Sequence, residues 1–505
     1  MMYVLFFLGL FIFLRVSFSN FRSITEYILL SLLLLSSITE VATGYYQLFF
    51  DPLYQSALLS VKGHFSNSGI YSGFLTVNAC IMLSCKNKLE SKYAKYLLGL
   101  VCCSIIILLP VTQSRASILA LSISVLFLWL KGKKYKTPNK RTLIIGGVLT
   151  VMCITGLYYL KKPSADGRFF IYKTCLQIIK KNGIHGVGAL NFGGEYGAAQ
   201  AEYFIKQSTG DRIDKNSIQK IDDRERMIVD CPQYAFNDCL QLGVEYGLPL
   251  MFIFIIVNVY TLVSLYRKDS IWFYGLMAFC VFGLFSYPLK IVPFQLLYIT
   301  LLASCAFGKQ TTVFYVITGT IWLVIMIVQP QKNDILNGFI SKRKHHNEWV
   351  DIQNNHKMRY YGLVVPMCDS LFEDMKNDYE FLFIYGQSLN RIDEYAKSDS
   401  VLQIGTKISS DPMFWNVMGN NSLAIGKYRD AEEQYTHSFF MVPNRLYPLT
   451  LLAKLYHTEK DTVRFLEMAE IVETFVPKIE SYNTELLRSE IKEIKDGYIM
   501  EKDVY

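Results

Sequence analysis

Apolar runs about as long as a bilayer is thick recur along the first two thirds of this 505-residue chain. No other feature limits the fold as much. A hydrocarbon core takes about 20 mostly apolar residues per helix. Runs of that kind lie at 1–19, 25–43, 68–84, 95–111, 116–131, 142–160, 246–266, 271–287, 291–307 and 311–329. The expected fold class is therefore all-α, a polytopic transmembrane helix bundle, with residues 1–330 as the membrane domain. Residues 331–505 read as a separate soluble helical domain.

Charge gives these spans a direction. One set of connections holds Arg15, Arg22, Lys86, Lys88, Lys92, Lys95, Lys131, Lys133, Lys134, Lys136, Lys140, Arg141, Arg267, Lys268 and Lys309. The alternate short connections hold Lys62, Arg115 and Lys290. Basic residues concentrate in cytoplasmic loops, so the first set faces the cytoplasm. That bias accounts for the net charge of +8 without nucleic acid as a partner. It also places the long polar segment of about residues 161–245 outside the cytoplasm, and with ten spans the C-terminal domain lies on the same side. Membrane lipids are the first expected partner. A disulfide among Cys175, Cys231 and Cys239 fits that compartment. The chain opens directly on an apolar run, with no basic leader segment and no small-residue cleavage site.

The 161–245 segment is too long for a simple connector, and loops of that size are functional or disordered. Its amphipathic patterning and aromatics predict order. It opens with Asp166-Gly167-Arg168-Phe169-Phe170-Ile171-Tyr172, whose apolar spacing predicts an amphipathic helix ending at Lys180-Lys181. It continues through Gly186-Val187-Gly188, then a second helix near Tyr196–Phe204, then a charge-dense stretch, 207–230, expected as solvated loop. It closes with Phe236-Asn237-Asp238-Cys239-Leu240-Gln241 and Glu245-Tyr246-Gly247-Leu248.

Two shorter connections face the same side. Gly63-His64-Phe65-Ser66-Asn67-Ser68-Gly69-Ile70-Tyr71 suits a tight turn into a helix N-terminus, which can bind an anion. Thr112-Gln113-Ser114-Arg115 puts a guanidinium at a span junction, and membrane-embedded arginines mark sites. Paired with Arg168, it gives two planar, permanently charged donors of the kind that grip a diphosphate.

In this order, Ser-Arg at a span junction, Gly-Arg after a later span, Gly-Val-Gly, then Asn-Asp-x-Leu-Gln and Glu-x-Gly-Leu, the motifs over about residues 60–330 resemble the O-antigen ligase family. Its members are bacterial membrane proteins, among them lipid A core ligases, O-antigen polymerases and protein O-oligosaccharyltransferases. They act on glycans carried by undecaprenyl pyrophosphate. The resemblance implies that Arg115 and Arg168 hold the donor pyrophosphate and that Asn237 is a third catalytic position. Candidate substrate-binding residues are Asn67, Tyr71, Tyr172, Gly186, Gly188, Tyr234 and Glu245. The family's acceptor-activating histidine precedes that Asn, where this chain has Phe236. The base is therefore left open among His185, His64, Glu195 and Asp230. The family also commonly has about three further N-terminal spans.

In the tail, Trp415, Gly419, Leu423, Gly426, Tyr428, Ala431, Tyr435, Ser438 and Pro443 follow a spacing similar to the 34-residue tetratricopeptide repeat. Degenerate neighbours on either side predict three to four helical hairpins and a surface for a protein partner.

The resulting expectation is an enzyme of the bacterial inner membrane. It moves a glycan from undecaprenyl pyrophosphate to an acceptor hydroxyl on the periplasmic face. The acceptor is lipid A core, a glycan chain or a protein, and no cofactor or metal is implied. Repeat-unit polymerase is the alternative. A lipid-linked glycan transporter or a non-catalytic scaffold is the reading of another class.

Overall fold

The computed structural model describes residues 2–51, 61–85, 89–132, 155–156, 158–159, 162–208, 210, 212–305 and 344–503. Every regular element among them is helical. The chain divides into two compact units. One is Met1–Lys162, Ala235–Gly243 and Leu248–Gln329; the other is Pro163–Tyr234, Val244–Gly247 and Pro330–Tyr505. The expected single division at 330 placed the long loop with the spans. Contacts group its residues Pro163–Tyr234 and Val244–Gly247 with the tail and leave Ala235–Gly243 with the spans.

The first unit holds α1 (Met2–Asn20), α2 (Arg22–Phe49), α3 (Ser68–Cys85), α4 (Lys92–Thr112) and α5 (Arg115–Gly132). It also holds most of α10 (Asp238–Tyr246), and α11 (Leu248–Arg267), α12 (Trp272–Gly283) and α13 (Val292–Ala303). By length and composition α2, α3, α4 and α11 can each cross a membrane, and the protein is an integral membrane protein. The expected spans at 142–160 and 311–329 fall outside the described residues, apart from 155–156 and 158–159.

The expected spans at 271–287 and 291–307 form shorter helices. Each is 12 residues long, roughly 18 Å of rise. The chain leaves α12 at Gly283 and turns through a 3-10 segment at Pro288–Lys290 before α13 begins. α12 is sheltered by its neighbours: Trp272, Leu276, Ala278, Phe279 and Phe282 are buried. Phe282 stacks on Phe294 of α13, and Gly275 lets Ile81 of α3 approach closely.

Side-chain contacts fix the direction of the helices. Ser84, near the end of α3, bonds the carbonyl of Ile271 at the start of α12. Lys131, at the end of α5, pairs with Asp269 at 2.6 Å. Arg15 of α1 donates to the Cys305 carbonyl after α13. One end of the unit thus gathers Arg15, Lys131 and the Arg267-Lys268 turn. The start of α3, the α4–α5 junction and the α12–α13 turn lie at the other.

The second unit holds α6 (Lys162–Asn182), α7 (Phe192–Ser208), α8 (Lys215–Lys220) and α9 (Asp223–Ile228). Its tail helices are α14 (His346–Lys357), α15 (Tyr361–Met375), α16 (Tyr379–Arg391), α17 (Tyr395–Ile408) and α18 (Met413–Ala424). The remainder are α19 (Tyr428–Met441), α20 (Tyr447–Thr458), α21 (Thr462–Thr474) and α22 (Tyr482–Asp503). α14/α15, α16/α17, α18/α19 and α20/α21 pack as consecutive hairpins. The first helices of the last three pairs begin 34 residues apart. Small residues sit at the crossings, Gly386 against Leu402 and Gly419 against Tyr435.

Loop and tail share a hydrophobic core. Phe170, Ala201, Phe204, Ile213 and Val229 pack with Tyr435, Phe439, Leu452 and Phe465. The charge-dense stretch expected as solvated loop is ordered by local caps. Asp214 and Ser217 form a capping box on α8, and Asp222 caps α9. Arg226 is buried and donates to the carbonyls of Pro443 and Val476. Cys175, Cys231 and Cys239 are free thiols, so the expected disulfide among them is not formed.

Candidate active site

In the first unit, the end opposite Arg15 and Lys131 collects several residues singled out in the sequence. Asn67 caps α3: its Oδ1 accepts the Ile70 N–H at 2.9 Å, while its Nδ2 donates to the Tyr287 hydroxyl at 2.7 Å. Phe236 sets its ring edge-on to Tyr287 at 5.3 Å. Beside it, Asn237 Oδ1 accepts the Leu240 N–H at 3.1 Å and opens α10. Phe236 holds φ +51 and Gln241 accepts the Ala235 N–H, so the approach to α10 is a tight turn.

Arg115 is the first residue of α5 and is half-buried. It follows Gln113, whose left-handed φ of 52 ends α4. A chain of hydroxyls, Ser114 to Ser117 to Ser72 with 2.8 Å steps, ties this junction to the first turn of α3. Asn67, Arg115 and Asn237 therefore belong to one end of one unit.

His64 and Tyr71 lie at the same end. Tyr71 is fully buried and donates to the Glu40 carbonyl of α2 at 2.9 Å. His64 is exposed, with Nδ1 3.0 Å from Glu40 Oε1. Glu40 and Tyr287 escaped the sequence reading, and Asp238 entered it only as part of a motif. For Glu40 the signal was present, since an acid inside an apolar span is a candidate site residue by default. Asp238 is buried; Oδ1 accepts the Leu289 N–H at 3.4 Å while Oδ2 has no hydrogen-bond partner. Burial drives its carboxyl well above the usual carboxylate range.

In the second unit the two glycine motifs meet through the backbone. Val187 N–H donates to the Val244 carbonyl at 2.8 Å, and Gly188 N–H to the Glu245 carbonyl at 2.9 Å. Gly186 has φ +67, and a Cβ there would lie 2.6 Å from Glu245 backbone atoms. Gly247 has φ +84, and a Cβ there would overlap the Ile184 carbonyl. Only glycine fits such positions without strain. Glu245 is buried; His185, on the same turn, is exposed.

Arg168 is half-buried on α6, one turn before Tyr172. Burial pushes the Tyr172 hydroxyl up to about 12, against the opposing pull of Arg168. Tyr234 is half-buried in the segment leading to α10. Of the other base candidates, Glu195 is exposed in the first turn of α7. Asp230 is held below the usual range: burial raises it, but the Cys231 N–H, Lys478 and Arg445 outweigh that. A carboxylate so held is a poor proton acceptor.

The sequence model of one family, described as O-antigen ligase, matches residues 98–255. The match is shorter than the expected 60–330. It starts within α4, includes Arg115, Arg168, Gly186, Gly188, Asn237 and Glu245, and ends within α11. Neither a curated protein nor a solved structure matches the chain. By its apolar helices this chain is an integral membrane protein, and its residues 98–255 match the sequence model of the O-antigen ligase family.

Proposed function

We propose that the protein transfers a glycan from undecaprenyl pyrophosphate to an acceptor hydroxyl at the periplasmic face of a bacterial inner membrane. The acceptor oxygen attacks the anomeric carbon and gives its proton to a base. The bond from that carbon to the pyrophosphate oxygen breaks, and the lipid pyrophosphate leaves with the electron pair. Arg115 and Arg168 stabilise the charge of the leaving group. Asn237 shapes the entry to α10, and the Gly186–Gly188 turn is laid against its last turn.

The observation that carries this reading is the span of the family match, which runs through both arginines and both glycine motifs in order. Orientation rests on the gathering of Arg15, Lys131, Arg267 and Lys268 away from the Asn67 end. The tail reads as tetratricopeptide-like, supported by helix pairs that recur every 34 residues. One face of it, on α17 and α19, is covered by α7 of the loop. On that face the tail holds the loop.

Purified protein in lipid nanodiscs, given undecaprenyl-pyrophosphate-linked glycan and acceptor-bearing membranes from its own host, should release free undecaprenyl pyrophosphate and form a glycosylated product. Translocation of the donor without pyrophosphate release would indicate a transporter and overturn the reading.

A further inference from the structure

We infer that Glu40 and His64 form a carboxylate–imidazole pair in which His64 is the base that takes the acceptor hydroxyl's proton. This rests on the transfer reaction proposed above and supplies its missing base.

α2 is apolar over most of its 28 residues and holds two acids, Glu26 and Glu40. Glu26 pairs with Arg22 one turn away. Glu40 has no basic neighbour on its own helix, and its partner comes from the turn before α3. His64 presents its backbone N–H to Oε2 at 3.2 Å and its ring Nδ1 to Oε1 at 3.0 Å. A carboxylate inside a span is costly unless something partners it. Here one histidine partners both oxygens.

The turn is built around that contact. Gln47 of α2 accepts the N–H groups of Lys62 and Gly63 and donates to the Gly63 carbonyl, at 2.9–3.1 Å. Gly63 holds φ +56, and a Cβ there would overlap Glu40 Oε2 and the Tyr71 ring. Tyr71 in turn bonds the Glu40 carbonyl.

The exposures divide as a working pair requires. The Glu40 side chain is 12% exposed and that of His64 is 66% exposed. Binding of Nδ1 by a carboxylate fixes the tautomer with hydrogen on Nδ1 and leaves Nε2 as the proton acceptor. When Nε2 is protonated, Glu40 stabilises the imidazolium. The level is also right. Tyr71 places Glu40 beside the first turn of α3, and the Ser72–Ser117 bond places the start of α5, and so Arg115, beside that same turn.

In the step, the acceptor O–H proton passes to His64 Nε2 as the oxygen attacks the anomeric carbon. The lipid pyrophosphate departs with the bonding electrons, and the imidazolium later returns its proton to water. His64 is the catalytic residue, and Glu40 is a positioning residue.

The test uses full-length protein in a host strain deleted for its own copy, which supplies native donor and acceptor. Membranes from the complemented strains allow additives to be tried. His64→Ala should lower glycan transfer by about a hundredfold or more while undecaprenyl pyrophosphate binding stays at the wild-type level, and free imidazole should restore part of the rate. Glu40→Gln should lose about tenfold or more and gain nothing from imidazole. Wild-type rates in both variants overturn the pair and leave the transfer function standing, as does loss of donor binding together with activity in His64→Ala. If the deletion itself changes no glycan, the transfer reading has failed, and the pair with it.

Discussion

The two units place their candidate residues by different physics. In the membrane unit, side chains reach across helices: Asn67 to Tyr287, Ser72 to Ser117, His64 to Glu40. In the loop-and-tail unit, the Gly186–Gly188 turn is laid against Val244–Glu245 by backbone bonds. The loop between Phe170 and Val229 is held by a core shared with helices more than 200 residues later in the chain. A helix bundle in lipid has its frame set by hydropathy, so a few polar side chains can adjust its end. A polar loop has no such frame and takes one from the tail. The difference implies that the tail matters to the transfer chemistry by keeping the loop folded.

The strongest attempt to break that contrast is to end the chain after residue 343. Phe170, Phe204 and Val229 would lose their partners Tyr435, Phe439 and Phe465. Transfer should fall below detection and the loop should become protease-sensitive, while the spans still insert. A truncated protein with normal activity would remove the tail from the account. Next in size is Arg168→Ala, and with it Arg115→Ala. Each should lower transfer by about a hundredfold to a thousandfold without loss of insertion, read as glycan product per unit of membrane protein.

Gly247→Ala should act on the backbone pairing alone. Its φ of +84 and the nearby Ile184 carbonyl leave no room for a methyl group, so the loop unit should lose about 2–4 kcal/mol. Protease sensitivity of the loop against temperature would measure it. Unchanged sensitivity would mean that the glycine motifs are not a structural joint.

Two smaller effects sharpen the comparison through pH. In the membrane unit, Asp238 precedes α11 and has its folded pKa raised by burial. The stability it allows is fully present below the unfolded value near ~4 and is lost as pH rises. Asp238→Asn should therefore gain thermal stability over wild type as pH goes from about 5 to 8, and a constant difference would refute this. In the other unit, burial of Glu225 is outweighed by hydrogen bonds from Tyr203, Lys173 and Gln207, which hold it below its usual range. Its contribution is present above the unfolded value near ~4.3 and is lost as pH falls. Tyr203→Phe should cost about 1 kcal/mol at neutral pH and less in acid.

Much of the membrane unit was legible because hydropathy and basic turns are local signals. α1, α3 to α5 and α11 begin and end close to the expected residues, and α2 runs six residues past its expected end. α12 ends at Gly283, ahead of the 3-10 turn that Pro288 starts and whose extent no apolar run encodes, while α13 is short at its far end, Ala303. The site was legible as motifs and not as contacts. Asn67 and Tyr287 stand 220 residues apart, and nothing in either segment names the other. Glu40 carried a signal of its own, a charge in an apolar run. Arg226 did not, because a buried arginine in a charge-rich stretch reads like any solvated one. Its carbonyl acceptors lie at Pro443 and Val476.

The claim that Arg115 and Arg168 grip one pyrophosphate is tested most directly by a double-mutant cycle on donor binding. Affinity for undecaprenyl pyrophosphate would be measured for wild type, Arg115→Ala, Arg168→Ala and the double variant in nanodiscs. Each single change should weaken binding about tenfold to a hundredfold, and the double variant should fall short of the product of the two losses, because both act on one ligand group. Wild-type affinity in either single variant, or independent losses that multiply fully, would contradict the account.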